Sequence, residues 1–411
     1  MIICEADVCT GCGTCALVCP VNAVDMREDD KGFLTPVIDG ERCIGCHKCV
    51  TNCHVNTYQS KNNEIRKSYS ACAKDIEVRK NASSGAVVTV LAQHIFNHNG
   101  AVVGAIFDEN QHLYQAIAYS EQEYVVKGFS RSKYVQSDNR ECFKEVKKYL
   151  ANHDAPLLFV GTPCQNAALT TYLQGKKYPN LYQVDFVCHG VPSPGLYHSY
   201  CRYLEKKYAS QIEKIDFRVK KPSWQLSSTV YTFKNKKKYV GNMLEDWYNV
   251  LFATYDNSIR ESCMNCKYAC PQRTTDITVC DYWGKRDIHI VPDEEQNGVS
   301  AVIVNTEQGL KLFESISDQI ICGEVSYESI QKGNYRLEKS RVEAPERENF
   351  WRDYKAGMDW PELAKRYAVS VMKGFSLKQR ILTIYRYQFP IKQVVEMYMR
   401  IKEFGQHGRK E

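Results

Sequence analysis

Two evenly spaced runs of cysteine constrain the first 53 residues more than any other feature of the 411-residue chain. Each run has the spacing C-x2-C-x2-C-x3-C, and the second repeats the first 34 residues later, from position 9 to position 43. The first run is Cys9, Cys12, Cys15 and Cys19, followed directly by Pro20, and the second is Cys43, Cys46, Cys49 and Cys53. This is an internal repeat, so both halves are expected to bind the same kind of group.

Cysteine triplets with a trailing fourth cysteine are typical of 4Fe-4S ligation in bacterial two-cluster ferredoxins, where the fourth cysteine of each run ligates the other cluster. Zinc sites more often use two C-x2-C pairs. Crossed ligation places two clusters close together, which indicates a path for single electrons. Cys4 lies outside the pattern and is expected to be a buried free thiol. We therefore predict two 4Fe-4S clusters, one held by Cys9, Cys12, Cys15 and Cys53 and the other by Cys19, Cys43, Cys46 and Cys49.

The composition indicates a globular protein in a reducing compartment. Nineteen cysteines in 411 residues are too few for a small disulfide scaffold, in which they exceed about 8%. The N-terminus has neither the basic region nor the apolar core of a secretory signal, so a cytoplasmic setting is expected, where cysteines more often bind metal than form disulfides. No run approaches 18 apolar residues, and no membrane-spanning helix is expected. The length predicts two to three domains.

Strand and helix patterns alternate along the rest of the chain. Residues 25–42 predict a β-hairpin with a turn at Asp-Asp-Lys-Gly, and the polar residues 56–66 predict a linker. The alternation beyond the linker predicts a mixed α/β body. Its predicted helices are a segment capped by Ser83 or Ser84 that reaches Ile95, residues 194–208 and residues 306–317. Its predicted strands lie in 101–107, 156–164, 181–194, 212–240 (antiparallel), 276–284 and 299–305.

The scattered cysteines indicate a third metal site. Cys263 and Cys266 form a C-x2-C pair, with Cys270 four residues beyond it, while Cys164 and Cys188 follow predicted strands. Because ligands collect at the strand ends of open α/β sheets, a site of four thiolates from the first pair and the two strand-end cysteines is one interpretation. The alternative is that the strand-end cysteines are inert small apolar residues. Spacing alone leaves both open.

Five motifs, together with the N-terminal repeat, resemble a known family over residues 1–320. They are NASSG (81–85), SKYVQS (132–137), GTPCQNAAL (161–169), DFVCHGVPSP (185–194) and CMNCKYACPQRTTDITVCDYWG (263–284). The family is the beta subunit of coenzyme F420 hydrogenases and dehydrogenases, and the similarity is greatest to its bacterial type with a fused N-terminal two-cluster 4Fe-4S ferredoxin domain. No motif can be placed in roughly the last ninety residues.

The resemblance implies a third 4Fe-4S cluster with a flavin beside it, FAD rather than FMN. By position in the family, the cluster ligands would be Cys164, Cys188, Cys263 and Cys266, with Cys270 as the nearest competitor. A flavin accepts two electrons as a hydride, whereas each cluster carries one electron. A flavin beside clusters would therefore join two-electron to one-electron chemistry.

The predicted flavin contacts follow partly from chemistry. A dinucleotide pyrophosphate is bound well at a helix N-terminus, which the NASSG segment could provide; an ordinary N-cap is the alternative. SKYVQS could reach the phosphates or the ring, or form an exposed loop, and the residues beside Cys164 could donate hydrogen bonds to flavin heteroatoms. The predicted contacts are Asn81, Ser83, Ser84, Gly85, Lys133, Tyr134, Ser137, Thr162 and Gln165.

Further polar residues could close the same pocket. They are Arg273, Asp276, Thr278 and Asp281, of which Asp276 and Asp281 could equally be turn and strand-end residues. His189 could relay a proton, although a hydrogen bond that supports Cys188 is the plainer interpretation. Nothing in the sequence identifies a catalytic residue.

Together these features predict an α+β fold with three parts. They are a ferredoxin domain at 1–58, a mixed α/β flavin and iron–sulfur domain at 66–320, and a mostly helical region at 321–411. The predicted function is a flavin-dependent iron–sulfur oxidoreductase acting on F420 or another small organic substrate, with a place in surface-polysaccharide synthesis as a further expectation from the resemblance. The alternative is a non-catalytic electron-transfer module for a partner enzyme. The expected partners are a small-molecule substrate and an electron donor or acceptor protein such as ferredoxin.

The net charge of +6 belongs to the C-terminal tail. Residues 373–411 contain nine Lys or Arg and three Glu, so this segment alone carries +6. The charge therefore gives no support to nucleic-acid binding. The tail is amphipathic and predicts two helices broken at Pro390, which could touch an anionic membrane surface or, as the plainer alternative, pack on the protein.

Overall fold

The computed structural model describes residues 2–57, 67–283, 290–291 and 294–369. Its helices are α1 (Thr14–Leu17), α2 (Lys48–Thr51), α3 (His54–Thr57), α4 (Ile76–Lys80), α5 (Val87–Asn97), α6 (Glu121–Val126), α7 (Arg140–Asn152), α8 (Pro163–Tyr172), α9 (Pro194–Tyr208), α10 (Trp247–Asn249), α11 (Glu294–Asn297), α12 (Glu307–Glu314), α13 (Tyr327–Gly333), α14 (Arg347–Lys355) and α15 (Trp360–Tyr367). Its strands are β1 (Val24–Glu28), β2 (Leu34–Ile38), β3 (Lys67–Ala73), β4 (Ala101–Phe107), β5 (Leu113–Ala118), β6 (Leu157–Val160), β7 (Leu181–Phe186), β8 (Ile212–Val219), β9 (Ser228–Phe233), β10 (Lys238–Asn242), β11 (Ile277–Asp281), β12 (Ser300–Val304) and β13 (Ile320–Glu324).

The N-terminal region consists of two similar halves joined by a hairpin. Helices α1 and α2 each follow a residue in left-handed backbone conformation, Gly13 at φ 77° and His47 at φ 57°. Strands β1 and β2 pair antiparallel over their whole length. In the turn between them, the Asp29 carboxylate accepts hydrogen bonds from the backbone N–H groups of Lys31 and Phe33, both at 2.9 Å. The predicted hairpin is therefore confirmed, and its turn is closed by Asp29 itself.

Eight strands form one large sheet in the order β13-β3-β12-β11-β7-β6-β4-β5. The four strands β4, β6, β7 and β11 run parallel to one another, while the strands on both sides of them are antiparallel. Because the carboxyl ends of parallel strands meet at one edge, the loops after β6 and β7 lie side by side. The prediction of a mixed α/β body is confirmed.

Helix α5 covers one face of this sheet with Val87, Val90, Leu91 and Ile95. Their spacing puts them on one side of a helix, and each is at most 2% exposed. The predicted helix is confirmed, but its predicted serine cap is wrong. The N-cap is Ala86, at φ 68° and without a side-chain hydrogen bond, because both serines are bonded to other parts of the protein.

Most other predicted elements of the body are also present. Strand β4 and helix α9 have the predicted bounds, and β6, β7, β11, β12 and α12 lie within their predicted segments. Residues 212–242 form the predicted antiparallel strands, but as a separate three-stranded sheet in the order β10-β9-β8. This local agreement arises because periodicity and turn residues act over short distances along the chain.

The three-stranded sheet packs against α9, α14 and α15 in an aromatic core. Tyr200, Tyr231, Phe350 and Trp360 are at most 5% exposed in it. Strand β13 pairs with β3 and so spans the predicted boundary at residue 320. Part of the region beyond 320 therefore completes the large sheet, and α14 and α15 belong to this second core.

Several expectations lie outside the described residues. Of the predicted linker, only positions 56 and 57 are described, and they end α3. The predicted amphipathic helices of the basic tail, with their break at Pro390, lie entirely outside the described part of the chain. Within the described ranges no helix combines the length and apolar character needed to cross a membrane.

The N-terminal hairpin packs directly on the first turn of α9. A side chain on Gly195 would lie 2.7 Å from the Cα atom of Gly32. The Gly195 N–H donates to the Gly32 carbonyl at 3.0 Å, and the Ser193 hydroxyl donates to the Lys31 carbonyl at 2.5 Å. Two glycines therefore permit a backbone-to-backbone contact that holds the N-terminal region against the body.

Replacing Gly195 with alanine should weaken this contact. We expect Gly195→Ala to lower the free energy of unfolding by about 1–3 kcal/mol, the usual cost of overpacking, and to expose the hairpin turn to proteolysis. Gly40→Ala is the control, because nothing lies within 4 Å of a side chain at that position. Anaerobic thermal unfolding and limited proteolysis measure both effects. Equal midpoints and cleavage patterns for the two variants would contradict the contact.

Candidate functional site

Two of the scattered cysteines lie at the carboxyl edge of the large sheet. Cys164 is the second residue of α8, just beyond β6, and Cys188 lies two residues beyond β7. Thr162 caps α8 by accepting a hydrogen bond from the Gln165 N–H, and its hydroxyl lies 3.1 Å from the Cys164 sulfur. Because β6 and β7 are neighbours, the sheet itself brings the two cysteines together.

Cys263 and Cys266 complete a group of four thiols. All four line one cavity of about 60 Å³. Burial is the main cause that raises the pKa of Cys164 to about 12 and that of Cys263 to about 11, and the Cys266 thiolate contributes to both shifts. Buried thiols of this kind ionise together only when a cation compensates their charge, as a metal centre does. Cys270 is not part of the cavity lining; its thiol donates to the carbonyl of residue 272 at 3.1 Å.

The first set of N-terminal cysteines is close together in space. Burial raises the pKa of Cys15, and the charges of Cys12, Cys9 and Cys53 raise it further. This is the crossed grouping predicted from the spacing. Cys4 was expected to be a separate buried thiol, but it is half-buried, and the Cys53 and Cys9 thiols beside it raise its pKa. It therefore lies against the first set.

The second set lies nearer the surface. Burial raises the pKa of Cys49, and the charges of Cys19 and Cys43 contribute to the same shift. Cys46 is exposed, and the Ile44 side chain beside it is 65% exposed. The loop that carries the second run of cysteines therefore exposes the Cys46 thiol and the apolar Ile44 side chain to solvent.

The three cysteine groups have the donors that cubane clusters need. Among the described residues, no three His, Cys, Asp or Glu side chains are arranged to hold a single metal ion. The four thiolates of a 4Fe-4S cluster each bind a different iron, so their sulfurs lie farther apart than the ligands of one ion. Four thiols around one space therefore fit a cluster in number and in chemistry.

A larger cavity of about 520 Å³ adjoins the sheet edge. Cys164 and Cys188 line it in addition to the small cavity, and Cys12 of the N-terminal region lines it as well. Its volume is within the range of small-molecule sites. The large cavity thus borders two of the three cysteine groups.

Seven of the nine predicted contacts line the large cavity: Ser83, Ser84, Lys133, Tyr134, Ser137, Thr162 and Gln165. Asn81 and Gly85 do not line it. The Asn81 side chain donates to the Glu77 carbonyl at 3.0 Å, and Gly85 packs so closely on β3 that a side chain there would collide with the Ala71 carbonyl. These two residues instead shape the segment that carries the serines.

Arg218 is a cavity residue that the sequence did not reveal. It is 7% exposed, and its Nη2 atom donates to the Ser83 carbonyl at 3.1 Å and to the Asp281 carboxylate at 2.9 Å. Its Nε atom has no hydrogen-bond partner among the described residues. The residue lies in the alternating strand β8, outside any motif, so nothing in the sequence could have identified it.

Two predicted contacts have their polar groups engaged within the protein. The Lys133 ammonium donates to three carbonyls of its own loop, residues 128–130, at 2.6–2.9 Å. The Tyr134 ring packs against Phe252 with a centroid separation of 5.2 Å, and the Tyr134 carbonyl accepts a hydrogen bond from the Tyr248 hydroxyl. Both residues line the cavity, but Lys133 chiefly fixes the conformation of its loop.

A network of amides forms another part of the cavity wall. The Gln165 amide donates to the Ser137 hydroxyl at 2.7 Å and to the Asn139 side chain at 2.8 Å. Gln115 donates to the Gln165 oxygen at 3.4 Å, and its own oxygen is buried without a partner among the described residues. Gln115 was not predicted, although a glutamine between the buried Leu113 and Ile117 of an alternating strand was a signal for it.

The residues predicted to close the pocket are distributed over different places. Asp281 lines the large cavity and Arg273 the small one. The Asp276 carboxylate accepts hydrogen bonds from a backbone N–H of β7 at 2.8 Å and from the Thr306 hydroxyl at 2.6 Å. The Thr278 hydroxyl accepts a hydrogen bond at 3.0 Å from the side chain of Asn305, the residue directly after β12. Asp276 and Thr278 therefore stabilise the sheet and do not line either cavity, and for Asp276 this is the alternative interpretation as a strand-end residue.

His189 lines the large cavity beside Cys188. Burial is the main cause that lowers its pKa to about 4, and the charge of Arg341 contributes to this shift, so the imidazole is neutral near pH 7. The His189 carbonyl accepts a hydrogen bond from Arg341 Nε at 2.9 Å. The guanidinium thus anchors the loop that carries Cys188.

Arg260 connects the N-terminal region to the loop of Cys263. It is 3% exposed and makes three hydrogen bonds in different directions. Its Nε atom donates to the Cys9 carbonyl at 2.6 Å, Nη2 to the Leu34 carbonyl at 3.0 Å and Nη1 to the Gln136 side chain at 3.0 Å. One buried guanidinium therefore fixes the first cysteine set relative to the third.

His54 and Tyr268 form a second connection between these groups. One nitrogen of the His54 ring lies 2.8 Å from the Thr10 hydroxyl, and the other is hydrogen-bonded to the Tyr268 hydroxyl. Lys267 donates to the Val55 carbonyl at 3.1 Å. The segments that follow Cys53 and Cys266 are thereby joined.

The triple hydrogen bonding of Arg260 requires a guanidinium. Lysine keeps the charge but cannot donate in three fixed directions, so Arg260→Lys should lower the free energy of unfolding by about 1–3 kcal/mol. Hydrogen exchange of backbone amides at 9–13 should also become faster. Arg27→Lys is the control, because Arg27 is 64% exposed. Equal exchange in both variants would contradict the role of Arg260.

Comparison with known proteins agrees with this arrangement. Residues 154–330 match the model of a family described as the C terminus of the coenzyme F420 hydrogenase/dehydrogenase beta subunit, and residues 8–57 match a 4Fe-4S dicluster domain. No curated protein matches the chain. Among solved structures, the chain is similar to one from the F420-reducing [NiFe] hydrogenase complex of Methanosarcina barkeri, with a TM-score of 0.43 and 16% identity over 78% of this chain and 99% of that one. The chain therefore contains, at residues 154–330, the C-terminal region of the coenzyme F420 hydrogenase/dehydrogenase beta subunit and, at residues 8–57, a 4Fe-4S dicluster domain.

Proposed function

We propose that the protein is a flavin-dependent iron–sulfur oxidoreductase that couples single-electron transfer to two-electron chemistry. The observation that carries this proposal is the 520 Å³ cavity, because thiols of two cysteine groups line it together with amides, hydroxyls and a buried guanidinium. A protein that only relays electrons needs no small-molecule cavity next to its clusters. The family match supports an iron–sulfur electron-transfer oxidoreductase.

A third 4Fe-4S cluster would be held by Cys164, Cys188, Cys263 and Cys266. These four thiols line one cavity, and burial raises their pKa values. Without a metal the thiols would therefore be protonated, and the iron of a cluster would replace their four protons. We call the cluster of the set with exposed Cys46 the distal cluster and that of the set with Cys12 the near cluster. Electrons would pass between the distal cluster and the third cluster by way of the near cluster.

The flavin, FAD rather than FMN, would lie in the large cavity. Arg218 and the hydroxyls of Ser83 and Ser132 are suited to phosphate oxygens, because they line the cavity and a guanidinium forms strong hydrogen bonds to an anion. The amides of Gln115 and Gln165 are suited to the polar edge of the ring system. A bound flavin would supply hydride chemistry, while these residues would position it and exclude water.

Electrons would enter or leave at the distal cluster. Cys46 is exposed and Ile44 beside it is largely exposed, which provides a thiolate and an apolar contact for a docking redox protein such as ferredoxin. The organic substrate would be F420 or another small molecule that reaches the cavity. A place in surface-polysaccharide synthesis rests on the sequence resemblance alone and remains a prediction.

Iron and flavin contents test the proposal directly. Anaerobically purified protein should contain about twelve iron atoms and about one flavin per chain. The double variant Cys263→Ser/Cys266→Ser should retain about eight iron atoms, whereas Cys322→Ser, at an exposed cysteine, should retain all of them. Protein that holds iron but never flavin would instead favour the alternative, an electron-transfer module. Eight iron atoms in the unaltered protein would exclude the third cluster.

Arg218 provides a sharper test of the flavin site. Hydrogen bonds from a charged group contribute about 1.5–3 kcal/mol, so Arg218→Gln should raise the dissociation constant of FAD by about 10–100-fold. Asp281→Asn alone controls for the lost ion pair between Arg218 and Asp281, and Arg202→Gln controls for the charge at an exposed position. Fluorescence titration of flavin-depleted protein measures the constants. Equal affinities for all three variants would remove Arg218 from the site.

A further inference from the structure

The small cavity of the third cysteine group is lined by charges of one sign. Six basic side chains line it, and within the described ranges no acidic side chain does: Arg260, Arg273, Arg336, Arg341, Lys267 and Lys339. Four of them are guanidiniums that are less than 10% exposed. A group placed among these four thiols would therefore be surrounded by cations.

Only part of this charge is balanced by carboxylates that contact it. Asp185 lies 3.7 Å from Arg273. Asp256 lies 3.8 Å from Arg336 and also pairs with Arg341. Two carboxylates thus neutralise only part of the charge of three guanidiniums. The fourth, Arg260, donates its hydrogen bonds to carbonyl and amide oxygens, which carry no net charge. The shell around the third group keeps an excess of positive charge.

Among the described residues, the second cysteine set, which would hold the distal cluster, has no such shell of buried guanidiniums. Cys46 is exposed to water, which screens nearby charges. The Arg42 guanidinium in that segment is paired with Asp39 at 2.7 Å and with Asp25 at 3.3 Å. Charges near the second cysteine set are therefore mixed in sign, and the positive charge rises from the surface towards the large cavity.

We propose that the third cluster is the most readily reduced of the three, so that electrons in the partly reduced protein collect beside the large cavity. Each added electron makes a cluster more negative, and nearby cations stabilise that reduced form. Burial opposes reduction, since it removes water from a negative charge, but the same low dielectric strengthens the attraction of four buried guanidiniums. This inference rests on the proposed function and adds the order in which the clusters are reduced.

The electron balance of one cycle is simple. An external reduced redox protein gives up one electron at the distal cluster in each of two events. Each electron passes through the near cluster to the third, which returns to its oxidised form when it passes the electron on. The acceptor in the large cavity gains two electrons in total and takes its proton from water. No other oxidant or reductant is required.

An EPR-monitored redox titration of the anaerobic full-length protein tests the order of reduction. We expect one cluster signal to reach half its intensity at a higher potential than the other two. Lys339→Gln removes an exposed cation from the third group, so it should shift this highest midpoint to a more negative potential. Lys48→Gln, at an exposed lysine beside Cys49, should leave it unchanged and shift a lower one. Both changes are at exposed positions, where folding is retained.

The outcomes separate this inference from the proposed function. If three cluster signals appear but Lys339→Gln shifts a lower midpoint, the inference is wrong while the third cluster stands. If only two cluster signals appear in protein with about eight iron atoms, the third cluster and the inference both fail. A highest midpoint that responds to Lys48→Gln would place the electrons near the surface and contradict the inference.

Discussion

The parallel alignment of β4, β6, β7 and β11 is the constraint on which the candidate site depends. Because of this alignment, the carboxyl ends of β6 and β7 lie side by side, and a cysteine follows each strand within four residues. Short loops at this edge leave Cys164 and Cys188 between two cavities, with the small cavity on one side and the large one on the other. Any group held by these thiols is consequently adjacent to any molecule in the large cavity.

The N-terminal region is joined to this edge by interactions that leave little freedom. Gly32 and Gly195 allow their backbones to touch, and Arg260 donates hydrogen bonds to both sides of the interface. The turn of the hairpin and the first cysteine loop are held at two separate points. Buried polar groups are costly unless all their bonds are made, so this relative position is strongly specified.

The sequence predicted those features that depend on neighbouring residues along the chain. The cysteine runs, the hairpin at Asp29, helix α5 and helix α9 are all marked by short-range spacing, and the structure contains them. The prediction of a serine cap for α5 was wrong because both serines form tertiary hydrogen bonds instead. The Ser84 hydroxyl donates to the Val299 carbonyl, and the Ser83 hydroxyl is hydrogen-bonded to that of Ser132. Arg218 and Arg260 were missed because their partners lie more than fifty residues away. No local pattern records such distances.

The position of Cys164 and Cys188 at one sheet edge has a consequence for how such proteins diverge. Neighbouring strands are about 4.8 Å apart whatever their side chains, so the backbone of the sheet fixes the distance between β6 and β7. Insertions and substitutions in the surface loops can alter which molecule is admitted without changing this spacing. Electron transfer depends steeply on separation, whereas recognition depends on the loops. The fold thus allows the two properties to evolve separately, and relatives with the same cysteines can serve different substrates.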